Sequence, residues 1–93
     1  MHYVYLMASR PRGAIYVGRS SNLRARVEAH RAGMSVHTAK YNINTLVWFE
    51  AHESFDASLQ RERSIKRWRR AWKDALVEGV NPDWRDVTHL VPD

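Results

Sequence analysis

One predicted helix carries an arginine and a histidine beside its apolar face, where both could act on a substrate. Leu23, Val27 and His30 are spaced i, i+4 and i+7 and share one face, with Arg26 one turn before His30. Arg is rarely buried unless it is paired, and imidazole is a common acid–base group. Taken alone, however, the pattern favours an amphipathic helix whose Arg extends to solvent and whose His is a hydrogen-bonded boundary residue.

A carboxylate occupies a comparable position on a later predicted helix. Glu62 lies three residues from both Leu59 and Ile65, which define the apolar face of that helix. A carboxylate on such a face costs free energy unless it meets a cation or a metal. Glu62 is therefore either paired with Arg26 or another arginine, or a ligand of Mg²⁺ or Mn²⁺, which bind one or two carboxylates together with water and substrate phosphate.

Tyrosine hydroxyl groups complete a set that could hydrolyse a phosphodiester. Tyr3, Tyr5 and Tyr16 lie on predicted strands, where a tyrosine is usually a packed aromatic residue with a hydrogen-bonded hydroxyl group. Together with the Arg, His and Glu on the helices, these tyrosines could supply the separate groups that hydrolysis of a phosphodiester uses. A metal would polarise a phosphoryl oxygen, the arginine would stabilise charge in the transition state, and a hydroxyl or imidazole group would transfer protons.

The charge of the chain indicates an acidic partner. Fifteen Lys and Arg against ten Asp and Glu give a net charge of +5, and twelve of the cations are Arg, whose planar fork matches phosphate oxygens. Seven cations form a basic stripe within residues 61–73, which is typical of nucleic-acid binding but can also be a solvated helix face. Within this stripe we expect DNA contacts from Lys66, Arg69 and Arg70. The lack of cysteine excludes disulfides, thiolate metal sites and cysteine nucleophiles.

Hydrophobic periodicity predicts the elements that must position these side chains. The predicted elements are strands at 2–8, 14–18 and 45–51 and helices at about 23–32 and 56–78. The last stretch is long enough for two helices that meet near Trp68, whereas residues 34–44 are expected to be irregular. The order β-β-α-β-α-α predicts an α+β fold, a small three-stranded antiparallel sheet with helices packed against it.

The length predicts a single domain, residues 1–93, with one modest core. A composition of 44% hydrophobic and 27% charged residues argues against a disordered chain. The sequence shows no apolar segment long enough for a membrane span and no pattern of a signal peptide, so we expect a cytoplasmic protein without membrane contact.

Several motifs, in order along the chain, resemble one enzyme family. Tyr3-Val4-Tyr5 and Tyr16-Val17-Gly18 are similar to the two tripeptides that name the GIY-YIG nucleases, and Ser21-Asn22-Leu23-x-x-Arg26-x-x-x-His30 is similar to the helix that carries the family's Arg and His. Later segments resemble small stand-alone members related to the excinuclease nuclease domain: HTAKYN (37–42), LVWFE (46–50), RERSIKRWRRAWKDALVE (61–78) and NPDW (81–84). The resemblance covers essentially the whole chain.

The resemblance implies a fold, an activity and a role for each candidate residue. The fold would be a three-stranded antiparallel sheet flanked by helices, and the activity endonucleolytic cutting of DNA with one divalent ion, Mg²⁺ or Mn²⁺. Tyr5 would be a general base or water-orienting group, and Tyr16 would line the same site. Arg26 would contact the scissile phosphate, His30 would assist proton transfer, and Glu62 would be the metal ligand.

Further residues are implied to contact DNA. His37, Lys40 and Tyr41 fall in a segment that borders the site in relatives. Asn81 corresponds to an asparagine that is often functional in the family, although Pro82 after it also suits a simple turn.

The chain departs from the family pattern at three places. Tyr3 stands where the family has glycine, and Arg19, which either contacts DNA or faces solvent, stands where many relatives have a smaller apolar residue. No lysine lies near Tyr5 to lower the pKa of its hydroxyl group. A phenol with a pKa near 10 is a poor base at pH 7, so a neighbouring cation or the metal must compensate.

These patterns leave three functions to compare. The leading hypothesis is a DNA endonuclease with weak or structure-based selectivity, for example in DNA repair, that a protein partner could target to its site. A nucleic-acid-binding module that does not cut fits the charge and aromatic content equally well, but Glu62 among the cations disfavours it unless a metal lies there. A protein-interaction domain with a structural polar network would show no salt-dependent affinity for DNA.

Overall fold

The computed structural model describes residues 1–92 and shows an α+β fold. Its elements are, in order, β1 (His2–Ala8), β2 (Ile15–Ser20), α1 (Leu23–Arg31), α2 (Val36–Lys40), β3 (Thr45–His52), α3 (Phe55–Arg67), α4 (Arg70–Glu78) and a 3₁₀ turn (Thr88–Leu90). The predicted class and order are confirmed, except that the short helix α2 forms within residues 34–44, which were expected to be irregular. Asp93, the last residue of the predicted domain, lies outside the described residues. Within residues 1–92, no helix combines the length and the hydropathy needed to cross a membrane.

The three strands form one antiparallel sheet in the order β2-β1-β3, so that β1 lies at its centre. Successive side chains of a strand point to opposite faces. Those of β1 therefore enter two apolar clusters, one containing Leu6 beneath α3 and α4, the other containing Tyr5 beneath α1. The predicted alternation is confirmed, but the sheet divides the single expected core into two layers.

Local signals begin and end the helices that carry the candidate side chains. Asn22 Oδ1 accepts a hydrogen bond from the Ala25 N–H at 3.3 Å, and Ser54 Oγ accepts one from the Ala57 N–H at 2.9 Å. Both bonds satisfy donors that the first turn of a helix leaves unpaired. After α1, Gly33 has a φ of 76°, the left-handed conformation that glycine adopts readily.

The break between α3 and α4 falls at Trp68 and Arg69, as predicted, where ψ values of 147° and 157° make the backbone extended. The following residue then ties α4 to the loop between β1 and β2. Arg70 donates from Nε to Asp74 Oδ1 at 2.8 Å and from Nη2 to the Gly13 carbonyl. These contacts give Arg70 a structural role, and its expected DNA contact stays a prediction.

The segment after α4 covers the outer edge of β3. Asn81 Nδ2 donates to the carbonyls of Val47 and Arg85 at 2.9 and 2.8 Å, and its Oδ1 accepts from the Arg85 N–H at 3.0 Å. The Val87 N–H donates to the Leu46 carbonyl at 2.8 Å. These bonds pair carbonyl groups that an edge strand otherwise leaves open. The amide of Asn81 is buried and engaged at both ends, which favours the structural alternative over the expected DNA contact.

Glu78, at the end of α4, connects three parts of the chain. It accepts two hydrogen bonds of 2.7 Å from Nε and Nη2 of Arg12, in the hairpin loop, and one of 2.7 Å from Nε1 of Trp84. The hydrogen bonds from Arg12 and Trp84 lower the pKa of Glu78 to about 2.

We expect Glu78→Ala to lower the melting temperature at pH 7, where the ionised carboxylate makes all three bonds. A lowered carboxyl pKa contributes stability that is present above the unfolded value of 4.5 and is lost as the pH falls towards 2. The difference in melting temperature between wild type and variant, followed by circular dichroism, should therefore shrink below about pH 4.5. Glu53→Ala, at an exposed carboxylate, is the control. A difference that stays constant with pH would contradict this account of the ion pair.

Candidate active site

The candidate site lies where Tyr5 crosses the edge strand β2. Tyr5 on β1 pairs with Gly18 on β2. A Cβ atom at Gly18 would lie 2.5 Å from both Cζ and Oη of Tyr5 and 2.7 Å from Cε2 of Tyr16. Only glycine therefore leaves room for the Tyr5 ring over this strand. The sequence patterns did not single out Gly18 for this role, although a glycine inside a predicted strand is a signal of close approach.

A buried chain of hydrogen bonds begins at the Tyr5 hydroxyl group. Tyr5 Oη lies 2.8 Å from His30 Nε2, and His30 Nδ1 lies 3.0 Å from Thr38 Oγ1. The Thr38 hydroxyl group donates to the Ser35 carbonyl at 3.3 Å, so its oxygen accepts from Nδ1–H of His30. This network assigns Nε2 of the neutral imidazole as the acceptor for the Tyr5 O–H.

Thr38 is a second residue that the sequence patterns did not identify. It is fully buried, and the short helix α2 supplies it. Because Thr38 accepts a hydrogen bond from Nδ1–H of His30, it fixes the orientation of the imidazole ring and leaves Nε2 without a proton. Nothing in the spacing of the sequence connects residues 30 and 38, because the link depends on how α2 folds back onto α1.

Burial sets the protonation states of the Tyr5–His30 pair. Burial and the charge of Arg26 lower the pKa of His30, which favours the neutral imidazole at pH 7. Burial above all, followed by Tyr16 and then Glu62, raises the pKa of the Tyr5 hydroxyl group above its usual 10.0, while Arg26 acts in the opposite direction. Tyr5 is therefore a neutral phenol that can accept a proton only as it passes its own to His30.

Arg26 lies beside this pair and is exposed. Among residues 1–92 its guanidinium makes no hydrogen bond or ion pair, yet its charge acts on the pKa of both Tyr5 and His30. A planar guanidinium without an internal partner can bind two oxygens of a phosphate group.

Glu62 approaches the site from α3, on the opposite face of the sheet from α1. Its side chain is 14% exposed, with Oε1 3.6 Å from Arg19 Nε and Oε2 3.2 Å from Lys66 Nζ. The guanidinium carbon of Arg19 lies 4.4 Å from the centre of the Phe55 ring. The structure therefore excludes the alternative in which Arg19 simply faces solvent. It also pairs Glu62 with Arg19 and Lys66, and not with Arg26.

The surroundings of Glu62 fit a metal held by one carboxylate. Mg²⁺ and Mn²⁺ commonly keep several waters and take one or two carboxylates plus substrate phosphate. Within residues 1–92 no three His, Asp or Glu side chains form a group that could hold an ion unaided, so water and phosphate would complete the coordination. A metal ion could displace the present partners of Glu62, because Lys66 is 53% exposed and the contact with Arg19 is longer than a hydrogen bond.

An aromatic ladder leads from the buried pair to the surface. The Tyr16 ring lies 5.1 Å from that of His30 and 6.1 Å from that of His37, centre to centre, and His37 lies 5.2 Å from Tyr41. Lys40 Nζ lies 5.5 Å from the centre of the half-exposed Tyr41 ring. The segment that was expected to border the site therefore does so, with its cation at the outer end.

The structure brings most of the expected residues to this edge of the sheet and removes a few. The residues that contact Tyr5 or act on the pKa of its hydroxyl group are Tyr16, Arg26, His30 and Glu62. Arg19 and Lys66 join this set through Glu62, and His37, Tyr41 and Lys40 join it through Tyr16. Arg69 lies apart from them, beside Trp72 at the start of α4. Arg70 and Asn81 belong to the scaffold.

The class of protein follows from what surrounds the Tyr5 hydroxyl group. A free cation suits a phosphate, a neutral imidazole suits a proton, and a carboxylate suits a divalent ion, and together they are a set that suits phosphodiester hydrolysis. The model of the GIY-YIG catalytic domain matches residues 1–75. The chain belongs to the GIY-YIG family, a nuclease family whose members generally use a divalent metal.

Curated relatives are small proteins of similar length. The chain is 38% identical over 80 residues to a UPF0213 protein of Natronomonas pharaonis, covering 82% of this chain and 89% of the relative. A UPF0213 protein of Staphylococcus haemolyticus is 31% identical over 78 residues, covering 83% and 94%. A third, from Haloquadratum walsbyi, is 35% identical over 81 residues, covering 83% and 86%. No solved structure matches the chain.

We expect the stability contributed by His30 to fall as the pH falls. The lowered pKa of His30 means that its contribution is complete above the unfolded value of 6.5 and is lost progressively below it. The difference in free energy of unfolding between wild type and His30→Gln, from urea titrations, should therefore shrink between pH 7.5 and 5. His89→Gln, on an exposed histidine, should show no such trend. A difference that grows on acidification would mean that His30 is charged in the folded protein.

Gly18→Ala should displace the Tyr5 ring, because the new methyl group would overlap it. We expect a loss of about 1–3 kcal/mol of stability, the usual range for overpacking, measured by urea unfolding. The variant should also lose DNA cleavage. Val17→Ala, a neighbouring change on the other face of β2, is the control for general destabilisation and should retain cleavage at a temperature where both variants are folded. Equal activity in both variants would contradict the assigned position of Tyr5.

Proposed function

We propose that this protein is a divalent-metal-dependent DNA endonuclease that hydrolyses phosphodiester bonds. The observation that carries the proposal is the buried Tyr5–His30–Thr38 chain, which begins beside the unpaired Arg26 and within the electrostatic influence of Glu62. The exposed guanidinium of Arg26 makes no hydrogen bond or ion pair among residues 1–92, so it is available to bind a phosphate group. Membership of a nuclease family supports the same assignment.

In the proposed mechanism the protein positions a phosphate and provides a path for one proton. Arg26 binds the scissile phosphate and stabilises the charge that develops on its oxygens. Tyr5 Oη accepts a proton from the attacking water as the Tyr5 proton moves to His30 Nε2, so the phenol stays neutral and the imidazole becomes charged. Thr38 continues to accept from Nδ1–H and keeps the ring in place.

The remaining steps concern the metal, the leaving group and the return of the proton. A divalent ion held by Glu62 would stabilise negative charge on the phosphate oxygens as a Lewis acid. The 3′ oxygen of the sugar leaves, which gives a 5′-phosphate product. Because burial, followed by the charge of Arg26, lowers the pKa of His30, the imidazolium readily gives up its proton to solvent. The departing 3′ oxygen takes a proton from solvent and becomes a hydroxyl group, so the neutral pair is restored.

We further propose that selectivity comes from the structure of the DNA and not from its sequence. The side chains around the site are cations and aromatic rings, which suit contacts to phosphates and to the faces of bases. Cleavage of one defined sequence by the isolated chain would contradict this proposal.

A module that binds nucleic acid without cutting is the second candidate. The ion pairs of Glu62 with Arg19 and Lys66 favour it, because they satisfy the carboxylate without a metal. Such a protein would show salt-dependent affinity for DNA that neither EDTA nor a change at Glu62 abolishes.

Substitutions at Arg26 and Glu62 distinguish these functions. We expect Arg26→Ala and Glu62→Gln each to reduce cleavage by about 100-fold or more, the usual effect of removing a group that stabilises the transition state. The assay uses supercoiled plasmid and a labelled branched duplex with Mg²⁺, Mn²⁺ or EDTA, and the melting temperature of each variant confirms folding.

Arg10→Ala and Glu53→Gln, at exposed residues of the same charge, are matched controls and should cut at the wild-type rate. Wild-type activity in Glu62→Gln would exclude Glu62 as the metal ligand. Binding of all DNA substrates without cutting by the wild type, in every metal tested, would favour the binding module.

A further inference from the structure

An exposed tryptophan lies outside the candidate active site and is not required by the core. Trp68, between α3 and α4, packs against the apolar cluster beneath these helices, together with Leu76. Trp72, one turn further along, is 53% exposed, with its ring at 80° to that of Trp68 and a distance of 6.3 Å between ring centres. Leaving such an apolar ring in water forgoes the stabilisation that burial would provide. Its exposure leaves the ring available to a ligand.

The two rings form the wall of an open groove. With Ala75 and Leu76 they line a cavity of about 400 Å³ whose surface is almost entirely apolar. We name this cavity the tryptophan groove. The two rings are nearly perpendicular to each other, and the half-exposed Trp72 ring gives a flat ligand an aromatic surface to stack against.

Arginines stand over both rings. The guanidinium carbon of Arg69 lies 4.9 Å from the centre of the Trp72 ring, and that of Arg61 lies 5.3 Å from the centre of the Trp68 ring. Arg61 is also paired with Glu50, but the guanidinium of Arg69 has no ion pair or hydrogen bond among residues 1–92. An aromatic face next to a free cation is the combination that binds a base and its phosphate together.

The charge of this surface identifies the ligand. The tryptophan groove lies in the basic stripe of residues 61–73, in which the one acid, Glu62, is itself paired with cations. Asp74 beside the groove is occupied by Arg70. A polyanion with flat apolar faces would fill the apolar groove and also pair with the cations around it. An uncharged apolar partner would fill the groove but leave the cations without a counterion. In a duplex the base faces are already stacked, so only an unpaired strand can offer them.

We propose that the tryptophan groove binds unpaired bases of single-stranded DNA next to the cleaved phosphate. Glu62 lies five residues before Arg67, the last residue of α3, which at 1.5 Å per residue is about 7–8 Å along the helix axis, and Trp68 follows Arg67 directly. This distance corresponds to roughly two or three nucleotides of a strand. The inference rests on the proposed nuclease function, and it makes duplex DNA with a single-stranded flap or branch the preferred substrate.

Binding measurements without metal test the groove independently of catalysis. Fluorescence anisotropy with a labelled oligothymidine and with a blunt duplex of equal length, in EDTA, gives the two affinities. We expect Trp72→Ala to weaken binding of the oligothymidine by about 10-fold, as loss of one stacked base does, and binding of the duplex by less than about 2-fold. Trp72→Phe should retain most of the affinity, because it keeps an aromatic face.

Two further variants separate stacking from charge and from general loss of surface. Arg69→Ala should weaken binding of both the oligothymidine and the duplex, since a phosphate contact does not depend on whether the bases are paired. Leu90→Ala, at a hydrophobic residue that is 60% exposed elsewhere on the protein, should change neither affinity. An unchanged oligothymidine affinity in Trp72→Ala, or an equal loss for both DNAs, would overturn the proposal and leave a protein partner as the ligand of the groove.

Cleavage assays distinguish failure of this inference from failure of the proposed function. The wild type should cut a flapped duplex faster than a blunt one in Mn²⁺, and Trp72→Ala should lose that preference. If the wild type cuts both duplexes at the same rate and Trp72→Ala does the same, the proposed role of the tryptophan groove is overturned, whereas the proposed nuclease function stands. Binding through Trp72 without cleavage of any substrate would support the groove as a single-strand site and contradict the nuclease.

Discussion

The buried hydrogen bond between the Tyr5 hydroxyl group and Nε2 of His30 is the contact on which the site depends. Both side chains are nearly inaccessible, at 1% and 4% exposure, and buried polar groups must be paired. Tyr5 reaches His30 only across Gly18, and the second nitrogen of His30 is satisfied only by Thr38. One polar pair thus requires a glycine in the edge strand and a short helix after α1. It also explains why Tyr5 has to be a neutral donor at rest.

Charged side chains surround the neutral Tyr5–His30 pair but form no ion pair with it. Arg26 is free of partners among residues 1–92, while Glu62 is held by Arg19 and Lys66. Any cation that binds Glu62 must compete with these two side chains, and any phosphate that approaches offers them an alternative anion. Binding of a metal and binding of DNA at this edge of the sheet are therefore expected to favour each other on electrostatic grounds.

The same residue types serve the scaffold and the candidate site in this small protein. In the basic stripe, Arg70 ties α4 to the hairpin loop, whereas Arg69 stands over Trp72 without an acidic partner among the described residues. Glu62 faces the candidate site, whereas Glu78 joins a loop, a helix and Trp84. Arg70 and Arg69 differ in whether an acidic partner lies within the described residues, whereas Glu62 and Glu78 are both paired and differ in which part of the fold they face.

Local patterns in the sequence determined the α+β class, the alternation along β1, the ends of α1 and α3, and the side chains Tyr5, Tyr16, Arg26, His30 and Glu62 that the structure brings to one edge. Those features depend on periodicity, capping and motif spacing, which act over a few residues. The tertiary structure alone decided the partners of Glu62, the roles of Gly18 and Thr38, and the use of Arg70 and Asn81 as scaffold. Each of these rests on a contact between residues far apart in the chain, and no local pattern specifies which distant group will lie within hydrogen-bonding distance.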